Sequence, residues 1–142
     1  MRVRLLQPTD VPRWMAMRAE LWPGEEQSDD PGLTVFVAEE GEALIGFLEL
    51  SLRSYAEGCD SSPVPYVEGW FVAEDWRRRG VGGALMQAAE EWSREHGFTE
   101  IGSDTNETNR LSRDAHAALG FEEVETLTVF RKSLRARPPL PD

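Results

Sequence analysis

The sequence predicts a single mixed α/β or α+β domain, in which helices flank a meander of strands. Its 142 residues suit one domain with a hydrophobic core of its own. An apolar fraction of 40% and five tryptophans argue against a disordered chain. Runs rich in β-branched and aromatic residues alternate with stripes of helical period, and no repeat or second domain is apparent. We expect one domain over residues 1–134 and a tail over 135–142.

The first half of the chain predicts a strand, a helix and a pair of strands. Residues 2–6 have the composition of a short strand, and residues 11–21 have the pattern of a helix. Residues 22–32 hold two prolines, two glycines and four acidic residues, which predicts a loop. Residues 33–54 then predict two strands that are joined by a short turn.

The second half alternates strands and helices more regularly. A polar loop over 54–62 leads into a strand over 63–72, and glycines separate this strand from a helix over 80–95. The remaining predicted elements are a strand over 99–104, a helix over 109–119 closed by Gly120, and a final strand over 124–134.

The charge balance narrows the choice of partner. The chain carries 26 acidic and 15 basic side chains, a formal net charge of −11. This balance disfavours nucleic acid, whose affinity depends on basic surface, and it suits a cationic partner.

The sequence has no apolar run of membrane-spanning length and no signal-peptide core, so we expect no membrane partner and a cytoplasmic location. Cys59 is the only cysteine, which excludes an internal disulfide and a cysteine zinc site; we expect no metal and no catalytic role for it.

Positive charge is concentrated at one glycine-rich turn. Three arginines, 77–79, run directly into three glycines within residues 80–83, at the start of the predicted helix. Backbone N–H groups at a helix N-terminus are unpaired, glycines allow close approach of an anion, and arginines add charge-assisted bonds. A solvated charge run would explain the arginines alone, but each glycine there costs about 1 kcal/mol relative to alanine. The turn therefore predicts an anion site.

Two common phosphate motifs do not fit this turn. A Walker A loop requires Gly-Lys-Ser/Thr, and the only lysine of the chain is Lys132. A dinucleotide-binding fingerprint requires a third glycine at the position of Leu85. The nucleotide interpretations are thereby excluded.

The turn instead resembles the acyl-CoA motif of the GNAT N-acetyltransferases, Gln/Arg-x-x-Gly-x-Gly/Ala. It occurs here as RRRGVG over 77–82, and NRLSRDAHAALGF over 109–121 resembles the later helix of that family, which ends in Leu-Gly-Phe. The resemblance covers nearly the whole chain. It implies a mixed, mostly antiparallel sheet that is splayed at its middle strands and flanked by helices. It also implies acetyl-CoA as the acetyl donor.

Four segments resemble one branch of the family, the dimeric, chromosomally encoded aminoglycoside 6′-N-acetyltransferases. They are RAELWP (18–23), LSLRSYAEG (50–58), SSPVPYVEGWFV (61–72) and IGSDTNETN (101–109). The resemblance implies transfer of an acetyl group to the 6′-amine of an aminoglycoside in a ternary complex, and so a role in antibiotic resistance. A polyamine, another small amine or a basic peptide is an alternative acceptor, and a non-catalytic acetyl-CoA sensor is an alternative function.

The resemblance implies a cofactor site that is built from one strand, one turn and one helix start. The pantetheine arm would pair with the main chain at the end of the central strand, and the pyrophosphate would lie in the arginine-glycine turn. The cofactor-binding residues implied are Trp70, Phe71, Val72, Arg77, Arg78, Arg79, Gly80, Val81, Gly82, Gly83 and Asn109.

The acceptor cleft implied by the resemblance is acidic and aromatic, and its residues are Trp22, Tyr55, Glu68, Asp104 and Glu125. Elementary electrostatics agrees, because a polycation requires converging carboxylates and flat apolar faces for its rings. Simpler interpretations are an exposed carboxylate at a strand end for Glu68 and a helix cap for Asp104.

Three residues are candidates for catalysis. Glu68, directly or through water, would guide a proton away from the amine, with Asp104 beside it. His116 stands four residues before the glycine of Leu-Gly-Phe, where many GNAT enzymes have a tyrosine that protonates the departing thiolate. A partly exposed helix histidine without a catalytic role is the alternative. Backbone N–H groups near Val72 would bind the thioester oxygen.

Two further expectations concern the loop and the C-terminus. Enzymes of the 6′ type insert a helix-length segment after Leu-Trp-Pro, and here the eleven residues 22–32 replace it. The acceptor site should then be shallower and more acidic. Because related enzymes pair or exchange C-terminal strands across a dimer, we expect a homodimer, although an edge strand in a monomer would give the same pattern.

Overall fold

The computed structural model of the chain describes residues 1–25, 32–135 and 139–141. Most of the predicted acidic loop, residues 26–31, lies outside the described residues. The strands are β1 (Arg2–Leu5), β2 (Thr34–Glu40), β3 (Ala43–Arg53) and β4 (Val64–Val72), and the helices are α1 (Val11–Leu21), α2 (Val81–Glu95) and α3 (Arg110–Ala118). Short 3-10 turns, Pro8–Asp10 and Glu74–Trp76, precede α1 and the arginine-glycine turn.

The strands form one antiparallel sheet in the order β1-β2-β3-β4, which confirms the predicted meander. Residues 44–50 of β3 are all buried, because the sheet is covered on both faces. On one face α1 packs Trp14 and Met17 against β2 and β3. On the other face α2 packs Leu85 and Met86 against the same strands. None of the helices in the described residues is long and apolar enough to cross a bilayer.

The predicted strand over 99–104 is wrong in extent. Only Gly102 pairs with β4, in a parallel bridge to Tyr66 with hydrogen bonds from Val67 N to Gly102 O (2.8 Å) and from Gly102 N to Pro65 O (2.9 Å). A β-carbon at Gly102 would lie 2.7 Å from the Tyr66 ring, so glycine permits this close approach. Beyond the bridge, no further backbone hydrogen bond joins the two segments in the described part of the chain. This parallel pair makes the sheet mixed and splayed, as the resemblance implied.

The predicted strand over 124–134 is also wrong for the single chain. Residues 124–134 have no regular secondary structure, and large apolar side chains are exposed there, including Val129 at 81% and Phe130 at 89%. A strand exists only through a ladder with a neighbour, and no strand described in this chain pairs with the segment. The boundary between a domain at 1–134 and a tail at 135–142 stays a prediction.

Candidate active site

The arginine-glycine turn lies between β4 and α2, and its backbone is set for an anion. Gly80 precedes α2 with a φ of 83°, and the first helical hydrogen bond runs from Ala84 N to Gly80 O. The N–H groups of Val81, Gly82 and Gly83 therefore belong to the first turn, where intrahelical acceptors are missing. A groove of about 610 Å³ continues from this turn along α2, with Leu119 on its opposite side. The turn opens to solvent and could accept a bulky anion.

The three arginines of the turn, Arg77, Arg78 and Arg79, are exposed. Arg77 Nε donates to Val72 O at 2.9 Å, and the Arg79 guanidinium lies 5.0 Å from the Trp76 ring centroid. None of the salt bridges found in the described part of the chain involves these arginines. Their charge is therefore available for a ligand.

Arg78 has a backbone conformation that is rare for a residue with a side chain. Its φ is 64°, and it is the only non-glycine residue with a positive φ among those described. Such residues cost about 1–3 kcal/mol and are concentrated at functional sites. The strain therefore marks this turn as more than a surface connection.

The end of β4 connects the turn with the centre of the sheet. Trp70 Nε1 donates to Gly82 O at 3.1 Å, so the indole joins β4 to the start of α2. Phe71 is buried on the opposite face, against Phe47 at 5.8 Å between ring centroids. Only the main chain of Phe71 is therefore placed to meet a ligand, whereas Trp70 and Val72 are partly buried on the α2 side.

Asn109 is the N-cap residue of α3. Its side-chain oxygen accepts a hydrogen bond from Ser112 N at 3.1 Å, which satisfies one of the free N–H groups of that helix. The capping alternative considered for Asp104 is wrong, because Asn109 has that role. The predicted contact of Asn109 with the cofactor stays a prediction.

Glu68 lies at a β-bulge and is held by two side chains of β3. The register passes from Glu49–Gly69 to Leu50–Val67, which leaves Glu68 as the extra residue. Arg53 donates to it from Nε at 2.8 Å and from Nη2 at 2.7 Å, and Ser51 Oγ donates at 2.5 Å. The Arg53 guanidinium, followed by the Ser51 hydroxyl, holds the pKa of the Glu68 carboxyl below its ordinary value. Glu68 is therefore a carboxylate at neutral pH.

Asp104 extends the same polar surface across the splayed edge. Tyr66 donates its hydroxyl proton to Asp104 Oδ2 at 2.7 Å, and the Arg53 guanidinium lies 3.6 Å from the Tyr66 ring centroid. Burial, and then the hydrogen bond to Asp104, raises the pKa of Tyr66, so its hydroxyl stays protonated and donates. Glu68 and Asp104 thus flank one tyrosine and one arginine, as their predicted sharing of a cleft requires.

Tyr55 follows β3, and the carboxylates of Glu57 and Glu125 lie near it. Tyr55 is 69% exposed, and its hydroxyl donates to Glu57 at 3.2 Å. Glu57 first, and Glu125 to a lesser degree, raise the pKa of Tyr55, which places both carboxylates near its hydroxyl. The neighbouring Val124 side chain contacts Gly58 and brings the C-terminal segment to this loop.

Trp22 lies at the inner end, directly after α1. Its indole edge points at Gly69, where a β-carbon would lie 2.8 Å away, so glycine makes room for the ring. The Arg18 guanidinium lies 5.3 Å from the Trp22 ring centroid and pairs with the buried Glu49 at 2.8 Å. The ring thus rests on β4 beside Glu68.

Ser51, Arg53 and Tyr66 were missed by sequence reasoning. The sequence held a partial indication of this site, because residues 51 and 53 are two apart on a predicted strand and therefore lie on the same face of it. The pairing register that brings them to Glu68 depends on the bulge, which composition does not reveal.

His116 lies on the opposite side of β4 from the acidic surface. Its Nδ1 is 2.7 Å from Ser112 O, and its Nε2 is 2.8 Å from Ser103 Oγ. The edge of the ring faces Trp70 at 5.3 Å and Phe121 at 5.2 Å between centroids. The structure therefore separates His116 from Glu68 and Asp104 and places it on the side of the turn.

Cys59 packs against Ala56, Val64 and Tyr66. Burial, with smaller effects from Glu100 and Asp60, raises the pKa of its thiol, which disfavours the nucleophilic thiolate. Within the described ranges, no cluster of three or more His, Cys, Asp or Glu side chains could hold a metal ion.

A strand with an arginine-glycine turn on one side and carboxylates on the other suits an enzyme that binds an anionic donor and a cationic acceptor. The match to a known family agrees with this. Residues 3–121 match the acetyltransferase (GNAT) family, and the chain belongs to that family. GNAT enzymes use acetyl-CoA, so acetyl-CoA is the acetyl donor of this chain, and the contacts predicted for it at the arginine-glycine turn and the end of β4 stay a prediction.

The chain is also similar over nearly its whole length to individual enzymes whose names specify the acceptor. Aminoglycoside N(6′)-acetyltransferase type 1 of Klebsiella aerogenes is 46% identical, over 93% of this chain and 96% of its own length. The protein of the same name from Salmonella enteritidis is 38% identical, over 93% and 99%.

Solved structures agree in fold over nearly the whole chain. AAC(6′)-Iy in complex with the bisubstrate analogue CoA-S-monomethyl-acetylneamine superimposes with a TM-score of 0.86 at 36% identity, covering 93% of this chain and 97% of that one. The apo AAC(6′)-Ig of Acinetobacter haemolyticus gives a TM-score of 0.84 at 30% identity, covering 94% and 99%.

Proposed function

We propose that the protein transfers the acetyl group of acetyl-CoA to the 6′-amine of an aminoglycoside, by direct attack in a ternary complex. One observation carries the proposal: an anion turn and an acidic surface adjoin the same strand, β4, where it separates from the segment after Gly102. The 6′-acetyltransferase relatives and the bisubstrate analogue bound to AAC(6′)-Iy support this acceptor.

The donor would enter along the splayed edge of β4. The main chain of Trp70, Phe71 and Val72 pairs with the pantetheine arm as an added strand would. The pyrophosphate lies against the N–H groups at the start of α2, and the arginines of the turn neutralise its charge. The absence of internal partners for those arginines among the described salt bridges supports this role.

The acceptor would lie across the acidic surface between Trp22 and Tyr55. Glu68, Asp104 and Glu125 supply the negative charge for its ammonium groups, and the two aromatic rings supply flat faces. In the structure the Arg53 guanidinium already occupies the Glu68 carboxylate. The 6′-ammonium either displaces Arg53 from the Glu68 carboxylate or shares that carboxylate with it.

The chemistry requires two protons to leave the nitrogen and one to reach the sulfur. The ammonium loses one proton, and the free amine attacks the thioester carbon. The nitrogen then loses its second proton to water as the C–S bond breaks and the thiolate leaves. Glu68 serves better as a charge anchor than as a strong base, because Arg53 lowers its pKa well away from neutrality. The proton then leaves through water that Glu68 orients, and positioning supplies most of the rate.

We include a homodimer in the proposal. Residues 124–134 expose several large apolar side chains, among them Val129 and Phe130, and such a segment is stabilised when it pairs with another chain. A second copy is the natural occupant, because the sheet of an identical protomer offers the same unpaired edge.

The proposal also includes a functional domain over 1–134 with 135–142 as a tail, and a cytoplasmic location, which suits a single reduced cysteine.

A thiol-release assay with acetyl-CoA tests the function against kanamycin, spermidine and a basic peptide. We expect release with kanamycin at a kcat/KM well above that for the other amines. Preference for spermidine or the peptide would reassign the acceptor. Tight CoA binding by calorimetry without release from any amine would indicate a sensor.

The Glu68→Gln variant tests the assignment at the acceptor side. Its kcat/KM for the amine should fall across pH 6 to 9, whereas the dissociation constant of CoA should not change. An unchanged kcat/KM over that range would show that Glu68 neither anchors the amine nor guides its proton.

Light scattering tests the dimer. The wild-type chain should have twice the protomer mass, and Phe130→Asp should shift it toward the monomer. Ser133→Asp is the matched control, because it adds one negative charge, as Phe130→Asp does, at an exposed position of the same segment and removes no apolar side chain. A monomeric wild-type protein would contradict the proposal.

A further inference from the structure

Both ring nitrogens of His116 are engaged by the chain. Nδ1 is 2.7 Å from the carbonyl oxygen of Ser112, which can only accept, so Nδ1 carries a proton. In the neutral ring Nε2 is then an acceptor, and its partner at 2.8 Å is the hydroxyl of Ser103. One tautomer is thereby selected, with the Ser103 hydroxyl donating to the ring.

Ser103 stands where the chain leaves the sheet. Gly102 makes the last backbone hydrogen bonds to β4 that the described residues contain, and Asp104 turns its carboxylate to Tyr66 on the acidic side. Side chains alternate along this extended segment, so Ser103 points to the other side, toward Trp70 and His116. The Ser103 hydroxyl is therefore at the entrance of the gap beside the cofactor segment of β4.

The ring of His116 is held rigidly in this position. Trp70 and Phe121 each meet it edge-on, and Trp70 is itself anchored to Gly82 at the start of α2. The Trp70 indole thus contacts both His116 and the arginine-glycine turn. A group at this point lies between the pyrophosphate site and the splayed edge, where the thioester of a bound donor would be.

We propose that Ser103 and His116 form a proton relay to the departing CoA thiolate, with Ser103 as the group that meets the sulfur. This inference rests on the proposed acetyl transfer and extends it to a residue that had no assigned role. The Nδ1 proton of His116 is committed to Ser112, and its Nε2 faces the Ser103 hydroxyl, so a proton on Nε2 reaches a ligand through the serine. The serine hydroxyl completes the path.

Each proton in the relay has a donor and an acceptor. His116 first takes a proton from solvent at Nε2 and becomes an imidazolium, with its Nδ1–H still on Ser112. When the C–S bond breaks, the Ser103 O–H proton passes to the sulfur, and the Nε2 proton passes to the serine oxygen. Free CoA thiol leaves, Ser103 is again a hydroxyl, and His116 is again neutral.

Variation of the leaving group tests the relay directly. Selenols are stronger acids than thiols, so acetyl-seleno-CoA expels a leaving group that requires little protonation. With acetyl-CoA we expect Ser103→Ala and His116→Gln each to lower kcat about tenfold or more. With acetyl-seleno-CoA the same variants should approach the wild-type kcat. Ser103→Thr, which keeps the hydroxyl, should retain most of the activity with both donors.

His96→Gln is the matched control for the histidine. His96 is exposed at the end of α2, and its Nδ1 bonds to Trp92 O at 2.7 Å in the same way. Its replacement should leave kcat with both donors unchanged. Equal losses with the thioester and the selenoester in Ser103→Ala, or no loss with either, would overturn the relay.

An NMR measurement separates this inference from the function on which it rests. In protein with 15N-labelled histidine, Nε2 of His116 should be unprotonated in the neutral form and should change its shift in Ser103→Ala. A protonated Nε2 in the neutral ring would overturn the relay even if acetyl transfer is observed. Wild-type protein that binds CoA but transfers no acetyl group would instead overturn the proposed function, and the relay with it.

Discussion

The Arg53 guanidinium is bound side-on to the Glu68 carboxylate, through Nε at 2.8 Å and Nη2 at 2.7 Å. The same guanidinium lies over the Tyr66 ring at 3.6 Å. The chain therefore supplies its own cation to the carboxylate and the aromatic face that the acceptor would use. An acceptor ammonium must compete with Arg53 or share Glu68 with it.

Removal of this internal cation should strengthen acceptor binding. We expect Arg53→Gln to lower KM for kanamycin severalfold, with kcat little changed. The size follows from the ion pair that the substrate no longer has to break, because a partly exposed pair contributes at most about 1 kcal/mol. Steady-state kinetics with a fixed, saturating acetyl-CoA concentration measures this. A raised KM would show that Arg53 orients Glu68 for the substrate and does not compete with it.

The acid stability of the protein should depend on Glu68. Because Arg53 lowers its pKa in the folded state, the pair stabilises the fold fully above the ordinary carboxyl pKa, near 4.3. This contribution is lost as the pH falls through the lowered pKa. Urea unfolding should find Glu68→Gln about 1 kcal/mol less stable than wild type at pH 7, with the difference shrinking below about pH 4.

Glu74→Gln is the control for that measurement, since Glu74 is exposed in the turn before α2. It should track the wild-type protein at every pH. A difference between Glu68→Gln and wild type that stays constant down to pH 3 would contradict the assigned ion pair.

The strain at Arg78 should trade stability against cofactor binding. Glycine adopts a positive φ without cost, so Arg78→Gly should stabilise the fold by about 1 kcal/mol. The lost guanidinium should at the same time weaken CoA binding several-fold in calorimetry. Arg94→Gly is not a suitable comparison because it lies within α2, whereas Arg79→Ala removes a charge from the same turn at an ordinary φ. Arg79→Ala should weaken CoA binding without stabilising the fold.

Tyr66 should matter for the acceptor and not for the donor. Tyr66→Phe keeps the ring beneath Arg53 but removes the hydrogen bond that holds Asp104. We expect a loss of about 1 kcal/mol in stability and a raised KM for the aminoglycoside. The dissociation constant of CoA should stay the same, and weaker CoA binding would place Tyr66 on the wrong side of β4.

The elements with a strong local pattern were predictable from the sequence. The span of α1 agrees at both ends, and α2 begins one residue after the glycine that was expected to start it. The position of the arginine-glycine turn between β4 and α2 was predictable too, because glycines before a helical pattern mark the start of a helix, and its role as an anion site stays a prediction. Such features depend on neighbours along the chain.

Features that depend on distant partners were not predictable. Residues 99–104 and 124–134 have strand composition, but the first makes a single bridge and the second finds no ladder in one chain. The pairing of Arg53 with Glu68 depends on the bulge in β4, and the pairing of Ser103 with His116 depends on how α3 packs. In each case tertiary register decides, and composition does not encode it locally.

The regiochemistry of acetyl transfer tests the central claim most directly. Purified protein is incubated with acetyl-CoA and kanamycin, and the product is analysed by mass spectrometry and two-dimensional NMR. We expect a single acetyl group on the 6′ nitrogen, formed in step with free CoA thiol. An acetyl group on another nitrogen, or no product from kanamycin while a different amine is acetylated, would contradict it.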